Sequence, residues 1–343
     1  MRDELRRRLA DLGAADDDLD RAEREGWLPL LALDRVLLPG APIYDVSGVA
    51  RATGVDESLL HRLWLALGFP DVPSDAQVFT ESEVAAARRL FARAQADDLD
   101  RDALVRQVRV VSASMARVAS VEADAIVDVI YRLAATDTPV DEIAEVLLDP
   151  ARVDDLATLI DYEHRLQLRA ALWRRLALDA APAAVVAVGF ADLAGYTKRT
   201  EHLDADEIAS LVERWEERAY DTVTDRGARV VKTIGDEVMF VGLVEQAVDA
   251  ALALRDAAEH DEVLLPVRTG LASGAVVLRN GDVYGPVVNL ASRLTEIAPS
   301  GTILVPASLR GDLHDETLVW EPFGTRRLRS IGPVEILTLR RSG

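Results

Sequence analysis

At Pro182 the hydrophobic pattern of this 343-residue chain changes period. Before it, apolar residues recur at three- and four-residue spacing, in LLALDRVL, ESLLHRLWLAL and EVAAARRLF, the repeat of helices that bury one face. After it, β-branched runs (AVVAVGFAD, RVVKT, EVMFVG, VRTGLASGAVVL, TILVP) alternate with helical stretches. The two patterns need different packed layers, so the chain must hold an all-α part and a mixed α+β part. The all-α part runs from residue 1 to about 150. Residues 151–182 form a linker: DDLATLIDYEHRLQLRAALWRRLALDA is one helical pattern without glycine or proline, ended by APAA. Such a helix suits a lever or a dimerisation seam, and equally an ordinary surface helix.

Residues 183–343 carry the mixed part. DEIASLVERWEERAYDTVTDRG predicts a helix closed by Gly227, RVVKT and EVMFVG a hairpin across Ile234-Gly235-Asp236, and EQAVDAALALRDAAE and VVNLASRLTEIA further helices. VRTGLASGAVVL is expected as one strand. The order is βαββαβ with extra C-terminal strands, which implies a ferredoxin-like α+β domain with an antiparallel sheet and helices on one face.

Composition narrows the function classes. With 49% hydrophobic and 29% charged residues the chain is of soluble globular type. It has no cysteine, which excludes disulfides and thiolate metal sites and fits a reducing compartment. MRDELRRRLADLG is a charged helix with no apolar core behind it, and the apolar run from Ala181 to Gly195 is interrupted by Asp192 and shorter than the ~20 residues of a membrane span. The expected location is cytoplasmic, with no span. A net charge of −20 opposes binding to nucleic acid or anionic lipid. In the helical half, YDVSGVARATGVDESLLHRLWLALGFP followed by FTESEVAAARRLF resembles a MerR-like helix-turn-helix with its wing. Its second helix carries Asp56, Glu57 and His61 where phosphate-contacting arginine or lysine is expected, so a helical packing module is the better expectation.

The stretch RVVKTIGDEVMF places Lys232, Asp236 and Glu237 at the rim of a core hairpin. Of 39 lysines and arginines only Lys198 and Lys232 are lysine, which marks Lys232 for a specific contact, with drift as the alternative. Asp192 ends the strand before Leu193, and Asp236 lies on the hairpin turn; in a βαββ arrangement these strands are neighbours. Paired carboxylates at strand ends suit a hard cation such as Mg²⁺ or Mn²⁺ with nucleotide phosphates completing the shell. Taken alone, each aspartate is more readily explained as a turn or cap residue than as a ligand. GDVYGPVVNLASRL adds Asp282 on a loop, then Asn289 and Arg293 four apart on one helix face, a pairing suited to a ribose oxygen and a phosphoryl transition state, or simply to a solvated helix surface.

Taken in order, FADLAGYT, VVKTIGDEVMF and DVYGPVVNLASRL resemble the class III nucleotidyl cyclase catalytic domain, over about residues 183–341. The long helix and helical N-terminal half resemble the mycobacterial-type adenylate cyclases that carry an autoinhibitory, pH-responsive regulatory domain. The resemblance implies an adenylate cyclase that converts ATP to 3′,5′-cyclic AMP and pyrophosphate. Asp192 and Asp236 would hold two Mg²⁺ or Mn²⁺ ions per site, assisted by the Leu193 carbonyl. Lys232 and Asp282 would read adenine, Asn289 would orient the ribose, and Arg293 would stabilise the transition state. Where the family has a phosphate-gripping lysine in an L-K-G stretch, this chain reads LRS, which puts Arg329 in that role with Arg326 and Arg327 nearby. The family further implies a head-to-tail homodimer, regulation by the helical half, and room there for a fatty acid. His61 and His164 are candidate pH sensors, with an ordinary surface or packed histidine the better expectation for each. The alternatives are a guanylate cyclase of the same fold, which would need the opposite hydrogen-bonding polarity at the base, and a cyclase-linked DNA-binding regulator. A diguanylate cyclase is disfavoured because its GG(D/E)EF hairpin is here IGDEV.

Overall fold

The structure is a computed structural model and describes residues 2–180 and 185–342. The chain divides into two compact units, Met1–Leu172 and Trp173–Gly343, with the boundary inside one long helix. The expected break at APAA (181–184) lies outside the described residues.

The first unit is helical. Helices α1 (Arg2–Asp11), α2 (Asp16–Glu25) and α3 (Leu28–Leu37) pack with α8 (Val140–Leu147) around Leu5, Leu9, Leu19, Leu31 and Leu148. An ion pair from Arg8 to Glu145 ties α1 to α8. A second cluster gathers α4 (Val46–Thr53), α5 (Glu57–Leu67) and α6 (Glu81–Ala96) around Val49, Phe79 and Val84. Helix starts follow capping chemistry: Asp45, Asp56 and Asp100 each accept a hydrogen bond from a first-turn N–H. Asp56 is thus explained as a helix cap, paired as well with Arg101 at 2.7 Å, and His61 contacts Asp71. Helix α7 (Arg101–Ala134) buries Leu104, Val105 and Val108 against α5 but exposes Val111, Met115, Val118, Val121 and Tyr131 farther along. Helix α9 (Pro150–Ala180) spans 31 residues without interruption. Among the described residues, no helix is long and apolar enough to cross a membrane.

The second unit is a sheet with helices on both faces. Its first strand is β1 (Val186–Leu193), which lies between β3 and β4. The short α10 (Tyr196–Thr200) follows, then α11 (Ala205–Asp225), β2 (Arg229–Ile234), β3 (Glu237–Leu243), α12 (Val244–Glu259) and β4 (Val267–Gly274). A small hairpin β5 (Val277–Arg279) and β6 (Asp282–Tyr284), helix α13 (Pro286–Ile297), and strands β7 (Ile303–Pro306), β8 (Leu318–Leu328) and β9 (Gly332–Arg341) complete it. The sheet order is β2-β3-β1-β4-β7-β9-β8. Alternation in β1 and β3 sends Ala187, Ala191, Val238 and Phe240 to one face, where they meet Trp215 of α11 and Leu254 of α12. Val188, Phe190 and Met239 go to the other face, against Ala291 of α13.

Three expectations need correction. The helices are not on one face, because α13 covers the face opposite α11 and α12. The sheet is mixed rather than antiparallel: a helical crossover returns the chain in the direction it left, so β7 pairs parallel to β4, Thr269 opposite Ile303. VRTGLASGAVVL is not one strand; it breaks at Gly274, whose φ of +146° leaves the strand region, and Val277 onward belongs to the small hairpin. At β2–β3 the turn is two residues, Gly235-Asp236, with Ile234 already paired to Glu237.

One glycine sets the position of α13. A Cβ on Gly270 would lie 2.3 Å from the Ala291 carbonyl oxygen and 2.3 Å from the Thr295 nitrogen, so helix backbone rests directly on β4. The buried Thr295 hydroxyl lies between two acceptors, the Phe190 carbonyl of β1 at 3.2 Å and the Ala291 carbonyl of its own helix at 3.0 Å.

Candidate active site

Two polar clusters form around β1–β3 and the β5–β6 hairpin. Asp192 is the penultimate residue of β1, and the antiparallel register sets it opposite Glu237 of β3. The tight turn before Glu237 brings Asp236 to the same strand end, within hydrogen-bonding reach of Asp192. The two aspartates expected from sequence to converge therefore do so. Burial, then the hydrogen bond and charge of Asp192, push the Asp236 carboxyl up to about 7. Burial and the same neighbour also raise Glu237. Leu193 lies in the core with 1% of its surface exposed, which leaves only its main-chain carbonyl for any ligand role.

Lys232 lies on β2, and its Nζ donates to Oδ2 of Asp282 on β6 at 2.6 Å. Burial works against the Asp282 charge but is outweighed by this hydrogen bond, the Val283 N–H and the Lys232 charge, so its pKa is lowered. The ammonium and carboxylate thus sit ready-paired, one a donor and the other an acceptor. Arg229, pushed down by burial, donates from Nη1 to the Gly281 carbonyl at 3.4 Å and props the loop that carries Asp282.

Asn289 and Arg293 lie on α13, four apart as expected, with Asn289 exposed. Arg293 is paired with Glu296 one turn on; that hydrogen bond raises the arginine and lowers the glutamate. Arg329 is exposed on the β8–β9 turn, where its charge reaches Glu296, and Arg326 and Arg327 are exposed on the strand before it. Sequence reasoning missed Arg268 of β4, which stands directly opposite Asp192 and donates to it from Nε at 2.9 Å and again from Nη2. It also missed Glu296. The PVRTG stretch gave no signal, because its importance arises only from the β1–β4 register.

The donor set fits a hard divalent cation. Two crowded carboxylates of which one is pushed toward its neutral form would both be stabilised as anions by a shared cation, and neither is a soft ligand. Among the described residues no group of three or more acidic, histidine or cysteine side chains is placed to hold a metal ion by itself. The remaining coordination positions would fall to water and to phosphate oxygens of a nucleotide.

This sheet unit falls in the class of nucleotidyl cyclases: residues 178–339 match the adenylate and guanylate cyclase catalytic domain. Residues 1–172 match the adenylate cyclase regulatory domain. An adenylate cyclase of Streptomyces coelicolor is 34% identical over 287 residues, covering 82% of this chain and 75% of its own length. A pH-sensitive adenylate cyclase of Mycobacterium tuberculosis is 33% identical over 330 residues, covering 91% of this chain and 82% of its own. The adenylyl cyclase CyaB of P. aeruginosa aligns with 46% of this chain and 95% of its own length, at 22% identity and a TM-score of 0.40. The chain belongs to the class III adenylate cyclases that join a regulatory domain to the catalytic domain.

Proposed function

We propose that the chain makes 3′,5′-cyclic AMP and pyrophosphate from ATP, with two divalent cations, at sites shared between two copies. The observation that carries this is the placing of Asp192, one residue from the end of β1, and Asp236, in the tight turn before β3, at the same end of the paired strands. Asp192, Asp236 and the Leu193 carbonyl would hold the cations. When bound, those cations supply Lewis-acid activation of the ribose 3′-hydroxyl and neutralisation of the triphosphate.

The chain's own groups bind and orient. Lys232 donates to the adenine ring nitrogen and Asp282 accepts from the exocyclic amine, the polarity that the 2.6 Å pair already presents. Guanine would need an acceptor and a donor interchanged. Asn289 orients the ribose for in-line attack of the 3′-oxygen on the α-phosphorus, and Arg293 meets the charge that develops on the phosphoryl oxygens. Arg329 serves the terminal phosphates from its exposed turn. To do so, Arg293 must exchange Glu296 for the phosphate, which makes that ion pair a resting contact.

In the head-to-tail arrangement the carboxylates of one copy face the Lys232, Asp282, Asn289 and Arg293 of its partner. The exposed Val277, Leu278 and Tyr284 on the β5–β6 hairpin beside Asp282 suit such a contact. The helical unit acts as a restraint on the catalytic unit, transmitted through α9. The direct test is the purified chain with ATP and Mn²⁺, assayed for cyclic AMP. No product, or equal turnover of GTP to cyclic GMP, would refute the assignment.

A further inference from the structure

Strand β2 carries one residue too many. Arg229 stands opposite Val241 of β3 and Lys232 opposite Met239, so three steps along β2 match two along β3. The register shift falls between Val230 and Lys232, which makes Val231 the extra residue of a β-bulge. On a regular strand, residues three apart project from opposite faces. Here Val241 and Met239, two apart, both line the cluster under α13, so the bulge turns Arg229 onto the same face as Lys232.

Both side chains reach the β5–β6 hairpin, and they take hold of consecutive residues. Lys232 Nζ donates to Oδ2 of Asp282 at 2.6 Å, and Arg229 Nη1 donates to the Gly281 carbonyl at 3.4 Å. The hairpin has two strands of three residues, paired only with each other. Its turn is Asn280-Gly281, with φ of +55° and +79°, between the paired Arg279 and Asp282. A ribbon this short has little stability of its own and must be placed from outside. Val283 does so from the core below, buried in the cluster under α13. At the turn the hold is polar, and the two polar contacts differ. An adenine that accepts from Lys232 and donates to Asp282 competes with the bond between them. The bond from Arg229 ends on a main-chain oxygen that no base needs, so it can persist with nucleotide in place. The half-buried guanidinium is opposed by the Arg174 charge of α9 and supported by the Asp282 carboxylate.

We propose that Arg229 is a positioning residue for base selection: aimed by the bulge at Val231, it holds the Gly281 carbonyl and so keeps Asp282 where it accepts from the exocyclic amine of adenine. Arg229 touches no substrate and acts through Asp282. The inference rests on the adenine-reading roles assigned above to Lys232 and Asp282.

The test compares kcat/KM of the full-length protein, with Mn²⁺, for ATP and for purine riboside 5′-triphosphate, which is ATP without the exocyclic amine. Wild type should prefer ATP, and D282A should lose that preference. In R229M the preference should fall about ten-fold, the scale of one hydrogen bond to a charged group, with the loss in KM for ATP rather than in kcat. R229M combined with D282A should lower the preference no further than D282A alone, because both act through one hydrogen bond. An unaltered preference in folded R229M, or a further fall in the double variant, overturns the proposal. Should R229M fail to fold, R229Q, whose amide falls short of the carbonyl, is read by the same criterion. If neither folds, Arg229 serves the fold alone and the proposal is overturned. A wild type that does not prefer ATP to the amine-free analogue refutes the adenine-reading assignment itself. A wild-type preference that survives in R229M removes only the role of Arg229.

Discussion

Lys232 and Asp236 share one hairpin, yet the first is held by an opposite charge and the second is crowded by a like one. The crowding has a pH signature. Asp236 is pushed up from an ordinary 3.8 to about 7. Between those values the folded chain binds a proton that the unfolded chain does not, so this contribution to stability is complete below about pH 4 and is lost as pH rises through 7. Glu237 leans the same way. The thermal midpoint of metal-free protein should therefore fall between pH 5 and 8, and Asp236→Asn should flatten that slope while abolishing cyclic AMP formation. An equal slope in the variant would show that the pair is not crowded. For the base, Lys232→Glu with Asp282→Cys should weaken ATP use and favour GTP. If the double variant retains the ATP preference of wild type, the two residues do not read the base.

At the level of elements, the placement of α13 matters most, because it carries Asn289 and Arg293. Gly270→Ala would drive a methyl group into the Ala291 carbonyl and the Thr295 nitrogen, both main-chain atoms. The expected cost is about 1–3 kcal/mol in urea unfolding, with a loss of kcat greater than that expected from the unfolded fraction as α13 shifts. Wild-type stability in the variant would mean that the helix is not seated as described. The same element shows how much was legible beforehand. Asp192, Asp236, Lys232, Asp282, Asn289 and Arg293 stood out because each interrupts an apolar run or sits at a turn, which is a local signal. The helices in LLALDRVL, ESLLHRLWLAL and EVAAARRLF, the linker helix and those of the mixed half were legible from their period, whereas the longest, α7, was not singled out. The parallel β4–β7 pair and the second covered face were not, since strand order is decided by long-range packing. Arg268 was illegible for the same reason: only the register between β1 and β4, 76 residues apart in sequence at this pair, sets it against Asp192.

At the scale of the whole molecule, a head-to-tail pair of copies makes a quantitative demand. Asp236→Asn disables the carboxylate half and Arg293→Ala the α13 half, so each variant alone should be inactive. Mixed and re-equilibrated in equal amounts, they should recover about a quarter of wild-type activity, because half the dimers are mixed and each mixed dimer keeps one intact site. No recovery would place both halves of a site within a single chain. The link between units can be tested through α9, whose 31 residues contain no glycine and no proline beyond the first. A stiff rod of this kind carries angular phase as well as distance. One alanine inserted near its middle should turn everything beyond it by about 100°, whereas seven should restore the original heading to within about 20°. If the helical unit governs turnover through this rod, the ratio of turnover at pH 5.5 to that at pH 8 should be scrambled by the first insertion and recovered by the second. A ratio that ignores both insertions would make α9 a tether with no say in catalysis.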